Sequence, residues 1–498
     1  MTQKQRHSGI LFHPSSFFGD YGIGTLGKNA QQWIDDLQKA GQKWWQILPL
    51  GHTGFGDSPY QCFSSFAGNP LLIDFERLMD LGLLMQRDFE DCRIKEPLER
   101  VDFHNVINKK YPVLRLAYQR FLKQNRQEIK HDFNVFCEQN AFWLDDYALF
   151  LEIKHFHDNL PWHQWTEFFK KREESTIKAF HKRFFIETGF HRFCQWIFFR
   201  QWCDIKKYAN DRGIEIIGDI PLYVAHDSAD VWAMPHLFQL DKNLNPKVVA
   251  GVPPDYFSNT GQLWGNPIYD WKQHRKEGFQ WWIRRFEASM ELFDWIRIDH
   301  FRGFAAYWAV PYSAETAANG KWIPAPGKSL FKTLTKHFGQ LKIIAEDLGV
   351  ITPDVIQLRD EFGFPGMKIL QYAFDSDDNE NMPHNFTPSC VVYTGTHDNE
   401  TTQGWYENLN AETKNRIHTY LQSDGSDIHW KMIRLALASV ADFAIIPMQD
   451  ILGLNNNARM NIPGTVGNYN WQWRLQKNQI SEDTWQVLRF LTELFGRM

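Results

Sequence analysis

Three short apolar runs in this chain each break off at an acid: Trp295-Ile-Arg-Ile-Asp299, Lys342-Ile-Ile-Ala-Glu346 and Val391-Val-Tyr-Thr-Gly-Thr-His-Asp398. Runs this short and apolar, set apart by helical patterns, read as buried strands of a parallel sheet. A carboxylate at the end of such a strand is costly to desolvate unless it is paired or put to use. In barrel and open-sheet α/β proteins, the carboxyl ends of the strands carry the reactive groups. Three such ends, spaced by whole strand–helix units, point to one shared site doing acid/base chemistry with carboxylates.

The same alternation runs through most of the chain. Gly9–Phe12, Trp44–Leu50, Ile214–Ile220, Trp295–Ile298, Leu341–Ala345, Cys390–Tyr393 and Phe443–Pro447 read as strands, with a helical stretch from Asn29 to Ala40 after the first. A single elaborated α/β barrel fits this rhythm, a class that exceeds roughly 400 residues when it carries insertions. At 498 residues, one elaborated catalytic domain over 1–498 accounts for the chain. The rhythm breaks from Leu78 to Gly213, where Trp143, Tyr147, Phe150 and Lys154 share one helical face and Phe198, Trp202, Ile205 and Ala209 another. This predicts a largely helical insertion over 78–213. A smaller insertion, with a loop covering the cleft, is predicted over 227–270. The chain ends in a helical pattern, Trp485 to Phe495, so no C-terminal β-domain is expected.

A net charge of −5 argues against a nucleic-acid groove, which needs a basic stripe. The six cysteines form no CxxC pair and no cluster with histidine, a pattern of free thiols rather than of disulfides or a zinc site. The first residues lack the apolar core of a signal peptide, and no run approaches the roughly 18 apolar residues of a membrane span. A cytoplasmic protein without membrane or nucleic-acid partners is the expectation. The 21 Trp, 16 Tyr and 40 Phe fill a core and also suit a sugar cleft, since Trp and Tyr join a flat apolar face to a polar handle.

Each motif has a bland reading beside the functional one. Arg297 and Asp299 alternate onto one face of their strand, where the arginine would lower the carboxyl pKa and keep a nucleophile ionised; the pair is otherwise a structural ion pair. The apolar approach to Glu346 would raise its pKa, as a general acid at neutral pH requires, whereas a helix cap is the alternative for Glu346 or its neighbour Asp347. Thr394-Gly-Thr-His-Asp-Asn399 is either an Asx-rich turn or a loop in which His397 and Asp398 grip sugar hydroxyls. Asp219 ends another strand, Gly218-Asp-Ile-Pro-Leu-Tyr-Val224, and either binds substrate or supports the rim. Gly22-Ile-Gly-Thr-Leu-Gly27 matches GxGxxG but follows no strand directly, so a dinucleotide cofactor is not implied. Lys109-Lys110 and Lys170-Lys171-Arg172 read as solvated helix faces. The loops Gly51–Pro70 and Gly251–Pro267 are long, Gly/Pro-rich and aromatic, as binding loops are.

Together these segments resemble the amylomaltases, or 4-α-glucanotransferases. The resemblance rests on GIGTLG, GFGDSPYQ, GDIPLYV, VPPDYFSNTGQLWGNP, IRIDHFRGF, IAEDLG and TGTHDNET, with Ile462-Pro-Gly-Thr465 and Asn470-Trp-Gln-Trp-Arg474 near the end. It implies an α/β fold, a (β/α)8 TIM barrel with inserted subdomains and no C-terminal β-domain. It also implies transfer of α-1,4-glucan segments between maltooligosaccharides, with glucose as an acceptor, by a retaining mechanism through a covalent glycosyl-aspartate. Asp299 would be the nucleophile, Glu346 the acid/base and Asp398 the transition-state stabiliser. Ser58, Tyr60, Asp219, Tyr256, Gln262, Trp264, Arg297, His300, His397 and Asn470 would bind substrate, with no metal or cofactor. Many relatives carry tyrosine where this chain has Phe55, which removes one polar contact. The alternatives are an α-1,4-glucan hydrolase using the same carboxylates, and a noncatalytic glucan-binding protein. No feature of the sequence sets an oligomeric state.

Overall fold

The computed structural model describes residues 6–94, 98–254, 258–376, 379–467 and 469–498. Its strands, in chain order, are β1 (His7–Leu11), β2 (Trp44–Gln46), β3 (Glu215–Ile220), β4 (Val248–Val252), β5 (Gln262–Pro267), β6 (Trp295–Ile298), β7 (Ala306–Pro311), β8 (Lys321–Pro324), β9 (Ile343–Ala345), β10 (Gly366–Ile369), β11 (Cys390–Tyr393) and β12 (Phe443–Pro447). Among the described residues, eight of these are parallel neighbours in the order β10-β11-β12-β1-β2-β3-β6-β9. The Ala345 N–H donates to the Pro365 carbonyl at 2.9 Å, just before β10, and draws the two ends of the sheet together. The sheet thus closes as a (β/α)8 barrel with strands in sequence order. Helices cover its outside, and β11 and β12 are buried throughout, as strands covered on both faces must be.

Helical period selects the outer layer. In Lys28–Lys39, Ala30, Trp33, Ile34 and Leu37 are buried, the i, i+3, i+4, i+7 stripe of a helix packed on a sheet. The last helix, Glu482–Leu494, starts where the Ser481 hydroxyl accepts from the Thr484 N–H, and it buries Trp485, Leu488 and Leu491. Arg497 then ties the chain's two ends together. Fully buried, it donates to the carbonyls of Leu437, His7 and Ser439.

Between β2 and β3 the chain runs through a series of helices, the longest being Phe103–Lys123, Ala141–Phe156 and Phe185–Asn210. Phe198, Trp202, Ile205 and Ala209 are buried in the last of these, and the Trp202 indole donates to the Leu292 carbonyl. The end of this helix therefore belongs to the barrel wall, and the helical excursion hands back to the barrel before Gly213. Lys110 is not solvated. Its ammonium is buried, donates to the Ile73 carbonyl at 2.7 Å and lies over the Phe75 ring, and burial lowers it to about 8. Asp347 caps no helix; it accepts from the Met367 N–H at 2.7 Å and pairs with Arg359, bracing the seam between β9 and β10.

A second, antiparallel sheet has the order β5-β4-β7-β8. Its first two strands arise between β3 and β6, and its other two between β6 and β9. The sheet is therefore shared by two excursions, of which only the first is expected from the sequence. Tyr307 and Ala309 of β7 are buried with the barrel's core, which fixes this sheet over the barrel mouth.

Gly218 sits in β3 opposite Ile296, with its outward position filled by the Phe293 ring; a Cβ there would lie 2.1 Å from the ring's Cδ2. Gly218→Ala gains roughly 0.5–1 kcal/mol by restricting the unfolded chain, against an overpacking cost of about 1–3 kcal/mol. A net loss of stability is expected, read as a lower urea midpoint, and pairing it with Phe293→Leu should restore part of it.

Candidate active site

Strand register assembles the barrel mouth. Asp219 of β3 lies beside Arg297 of β6, so both side chains enter the barrel at one level. One Arg297 guanidinium nitrogen donates to both Asp219 oxygens, at 2.9 and 2.7 Å, and to Asp299 at 3.2 Å. The Arg297 and Asp219 side chains are buried, whereas the Asp299 carboxyl keeps 29% of its surface, open to the cleft. The arginine thus neutralises a hidden carboxylate and steadies a reachable one.

Glu346 is framed by the chain that carries Asp299. Its N–H donates to the Ile298 carbonyl, and its carboxyl accepts from the His300 N–H at 2.6 Å and the Leu348 N–H at 3.0 Å. His300 reaches that position with φ 51° and ψ 50°, a left-handed conformation costly for a residue with a Cβ. Such strain persists only where surrounding bonds hold it. The Trp264 ring meets His300 edge-on at 4.8 Å.

The third carboxylate is held by a different set. Asn461 donates to Asp398 Oδ1 at 2.6 Å, and Arg459 donates to the Asp398 carbonyl at 2.6 Å and the Asn461 carbonyl at 2.7 Å. His397 stacks on Tyr60, with 5.3 Å between centroids. The Tyr60 hydroxyl lies 2.9 Å from both Asp219 and His397 Nε2. It has one proton to give, and the carboxylate can only accept, so His397 carries its proton on Nε2 and donates to Tyr60.

The electrostatics separate the two central acids. Burial is the largest influence on Asp299 and raises it to about 6, with Asp219 and Asp398 adding to the rise and Arg297 opposing it. The expected lowering by Arg297 is therefore outweighed by burial, and that guanidinium also leans toward Asp219. Burial likewise raises Glu346 to about 8, against Arg297 and with Asp299. At neutral pH the pair holds one ionised and one protonated carboxyl. Burial keeps His300 neutral, at about 3, and also lowers His397.

All of this opens on a cleft of about 570 Å³. The 4-alpha-glucanotransferase family model matches residues 12–480. The chain belongs to the 4-alpha-glucanotransferase family. It is 50% identical over 499 residues to a 4-alpha-glucanotransferase of Synechocystis, covering 99% of this chain and 98% of that one. It is 47% identical over 502 residues to that of Thermus thermophilus, covering 99% of each. An amylomaltase from Streptococcus agalactiae, solved in complex with acarbose, has a TM-score of 0.96 at 42% identity, over 99% of this chain and 100% of that one. The protein is thus an enzyme, with 4-alpha-glucanotransferase activity.

Within this 4-alpha-glucanotransferase, Ser58, Tyr60, Gln262, Trp264, Arg297, Asp299, His300, Glu346, His397, Asp398 and Asn470 all border the cleft. Asp219 lies behind Tyr60 and Arg297, out of the cleft lining. Tyr256 lies outside the described residues. The Ser58 hydroxyl accepts from the Tyr60 N–H, and the Trp264 indole donates to Gln262. The Asn470 amide is spent on its own loop, donating to Thr465 and accepting from the Ile462 N–H. Phe55 stands on the rim, 74% exposed.

Asn461, Arg459 and Tyr372 are additions that sequence reasoning did not single out. Tyr372 borders the cleft and its hydroxyl accepts from Asn399, the residue that folds the loop back on Thr396. Asn461 directly precedes the Ile462-Pro-Gly-Thr465 motif, which is the one signal that marks it. Asn461→Ala should free the Asp398 carboxyl from its set rotamer. The transfer rate should fall about tenfold to a hundredfold, as small misplacements around a reacting centre do, with an unchanged circular dichroism spectrum.

Proposed function

We propose that this enzyme moves α-1,4-glucan segments between maltooligosaccharides, with glucose among its acceptors, by a retaining double displacement at Asp299 and Glu346. The observation that carries the proposal is the opposed protonation of these two carboxyls on adjacent strands, one tuned to about 6 and the other to about 8. Each is suited to one half of the two-carboxylate template. The match to glucan-acting relatives named amylomaltase supports the substrate class.

In the first half-reaction, Asp299 attacks the anomeric carbon, and the C1–O4 bond to the leaving glucan breaks. Glu346 gives its proton to that oxygen. The shortened glucan leaves, and a β-glycosyl ester remains on Asp299. In the second half, Glu346 takes the proton of an incoming sugar 4-hydroxyl as its oxygen attacks C1. The ester opens, Asp299 is released as carboxylate, and the α-1,4 geometry returns. Asp398, His397 and Tyr60 take the hydroxyls of the donor sugar, with Arg297 steadying the Asp299 carboxylate before attack and again when the ester opens. Gln262 and Trp264 line the wall beside His300. The same scheme with water as acceptor would be hydrolysis, so acceptor choice is what an experiment must read. Six free cysteines, as in a reducing compartment, support a cytoplasmic setting.

Asp299→Asn removes the group placed to form the ester and should lower the rate by about 10⁴-fold or more, measured with maltotriose. The kcat/KM profile should be bell-shaped. Activity falls as pH drops through about 6, where Asp299 gains a proton, and as pH rises through about 8, where Glu346 loses its own. Incubation with maltotriose should give glucose and longer maltodextrins at constant total reducing ends. A rise in reducing ends without longer products would make the enzyme a hydrolase and overturn the proposal.

A further inference from the structure

The four-stranded sheet over the barrel mouth carries a second indole toward the cleft. Trp264 is on β5, at one edge, and Trp322 is on β8, at the other. Strands about 4.8 Å apart put these edges roughly 14 Å from each other across the sheet. Both residues border the cleft that holds Asp299 and Glu346. Trp264 meets His300 edge-on, beside Asp299, and Trp322 stands at the opposite edge of the sheet.

Trp322 is built as a platform. The Arg302 guanidinium covers its ring at 3.7 Å from the centroid, and the Trp308 ring meets it edge-on at 5.3 Å. Trp308 is held in turn by its indole N–H, which donates to the Ala317 carbonyl at 2.8 Å. Arg302 is 5% exposed, and its guanidinium donates to the Val350 carbonyl, on the loop that leaves Glu346. With these supports in place Trp322 still keeps 36% of its surface exposed. A flat ring fixed this way loses little freedom when a sugar stacks on it, and its apolar face suits the C–H face of a pyranose.

We propose that Trp322, backed by Arg302, forms a distal sugar-stacking subsite on the Glu346 side of the cleft, where it sets the preference for longer acceptors. The inference rests on the proposed role of Glu346. That residue protonates the leaving glucan and later takes the acceptor's proton, so the loop that follows it flanks the side from which acceptors enter. Trp322, Arg302 and Val350 line that side together. A single glucose bound next to Glu346 does not extend to Trp322, whereas a maltotetraose does. Trp322 is therefore a binding residue for the outer sugars of the acceptor and takes no part in bond breaking.

The test uses the whole enzyme with α-maltosyl fluoride as donor, so that no leaving sugar occupies the acceptor side. Glucose and maltotetraose are compared as acceptors. In Trp322→Leu, which keeps apolar bulk beneath Arg302 but removes the flat ring, the KM ratio of glucose to maltotetraose should fall about tenfold, which is roughly 1.4 kcal/mol. Trp322→Phe should restore most of that ratio. An unchanged ratio in Trp322→Leu, or an equal loss for both acceptors, overturns the inference. Absence of transfer to either acceptor by the unaltered enzyme would instead overturn the proposed function.

Discussion

One buried guanidinium holds the site together. Arg297 gives both of its short contacts to Asp219, a carboxylate without access to the cleft, and only a longer one to Asp299. Without that cation, three carboxyl groups and a glutamic acid would face one another across the barrel mouth in a weakly screening interior. With it, Asp299 stays reachable and ionised at neutral pH, while burial holds Glu346 protonated against the same cation. The arginine's position is a matter of strand register, since Asp219 and Arg297 are paired neighbours on β3 and β6. The chemistry therefore depends on the barrel's hydrogen-bond ladder being in step.

The barrel separates what must be rigid from what must admit a polymer. Asp219, Arg297 and Asp299 stand at the ends of short strands, and Glu346 is clasped by peptide groups rather than by side chains. Asp398 rises from a looser loop and needs Asn461 and Arg459, from a distant segment, to hold it. The aromatic residues divide in the same way. Most of the 21 tryptophans are core, and Trp45, Trp162, Trp196, Trp202, Trp232 and Trp282 are fully enclosed, while few face the cleft.

Much of this was legible in the sequence wherever an apolar run met a charged residue. Seven of the barrel strands stand out because Val, Ile, Leu and Trp run together and then stop. The eighth, Gly366-Met-Lys-Ile369, does not, since a glycine and a lysine dilute its pattern; Lys368 pairs with Glu380 at the surface. The antiparallel sheet is half hidden for a related reason. Its strand β8, Lys321-Trp-Ile-Pro324, is exposed along its whole length, so no buried face imposes an alternation. Lys110 shows the reverse error, because a lysine beside another lysine gives no sign that one is sealed in the core beneath a carbonyl. The balance at Asp299 was not readable either. Sequence places Arg297 two residues away, but only the fold reveals that Asp219 takes the larger share of its charge.

The left-handed turn at His300 has a consequence for redesign. The peptide N–H that orients the Glu346 carboxyl belongs to the residue after Asp299, so the two groups hang from one stretch of backbone. Their spacing cannot be widened, for example to seat a water between them, by exchanging side chains alone. Such a change would have to unwind His300 into an ordinary conformation, and Glu346 would lose the amide that aims it. The geometry of the two carboxyls is in this sense a property of the main chain, inherited by any variant that keeps the turn.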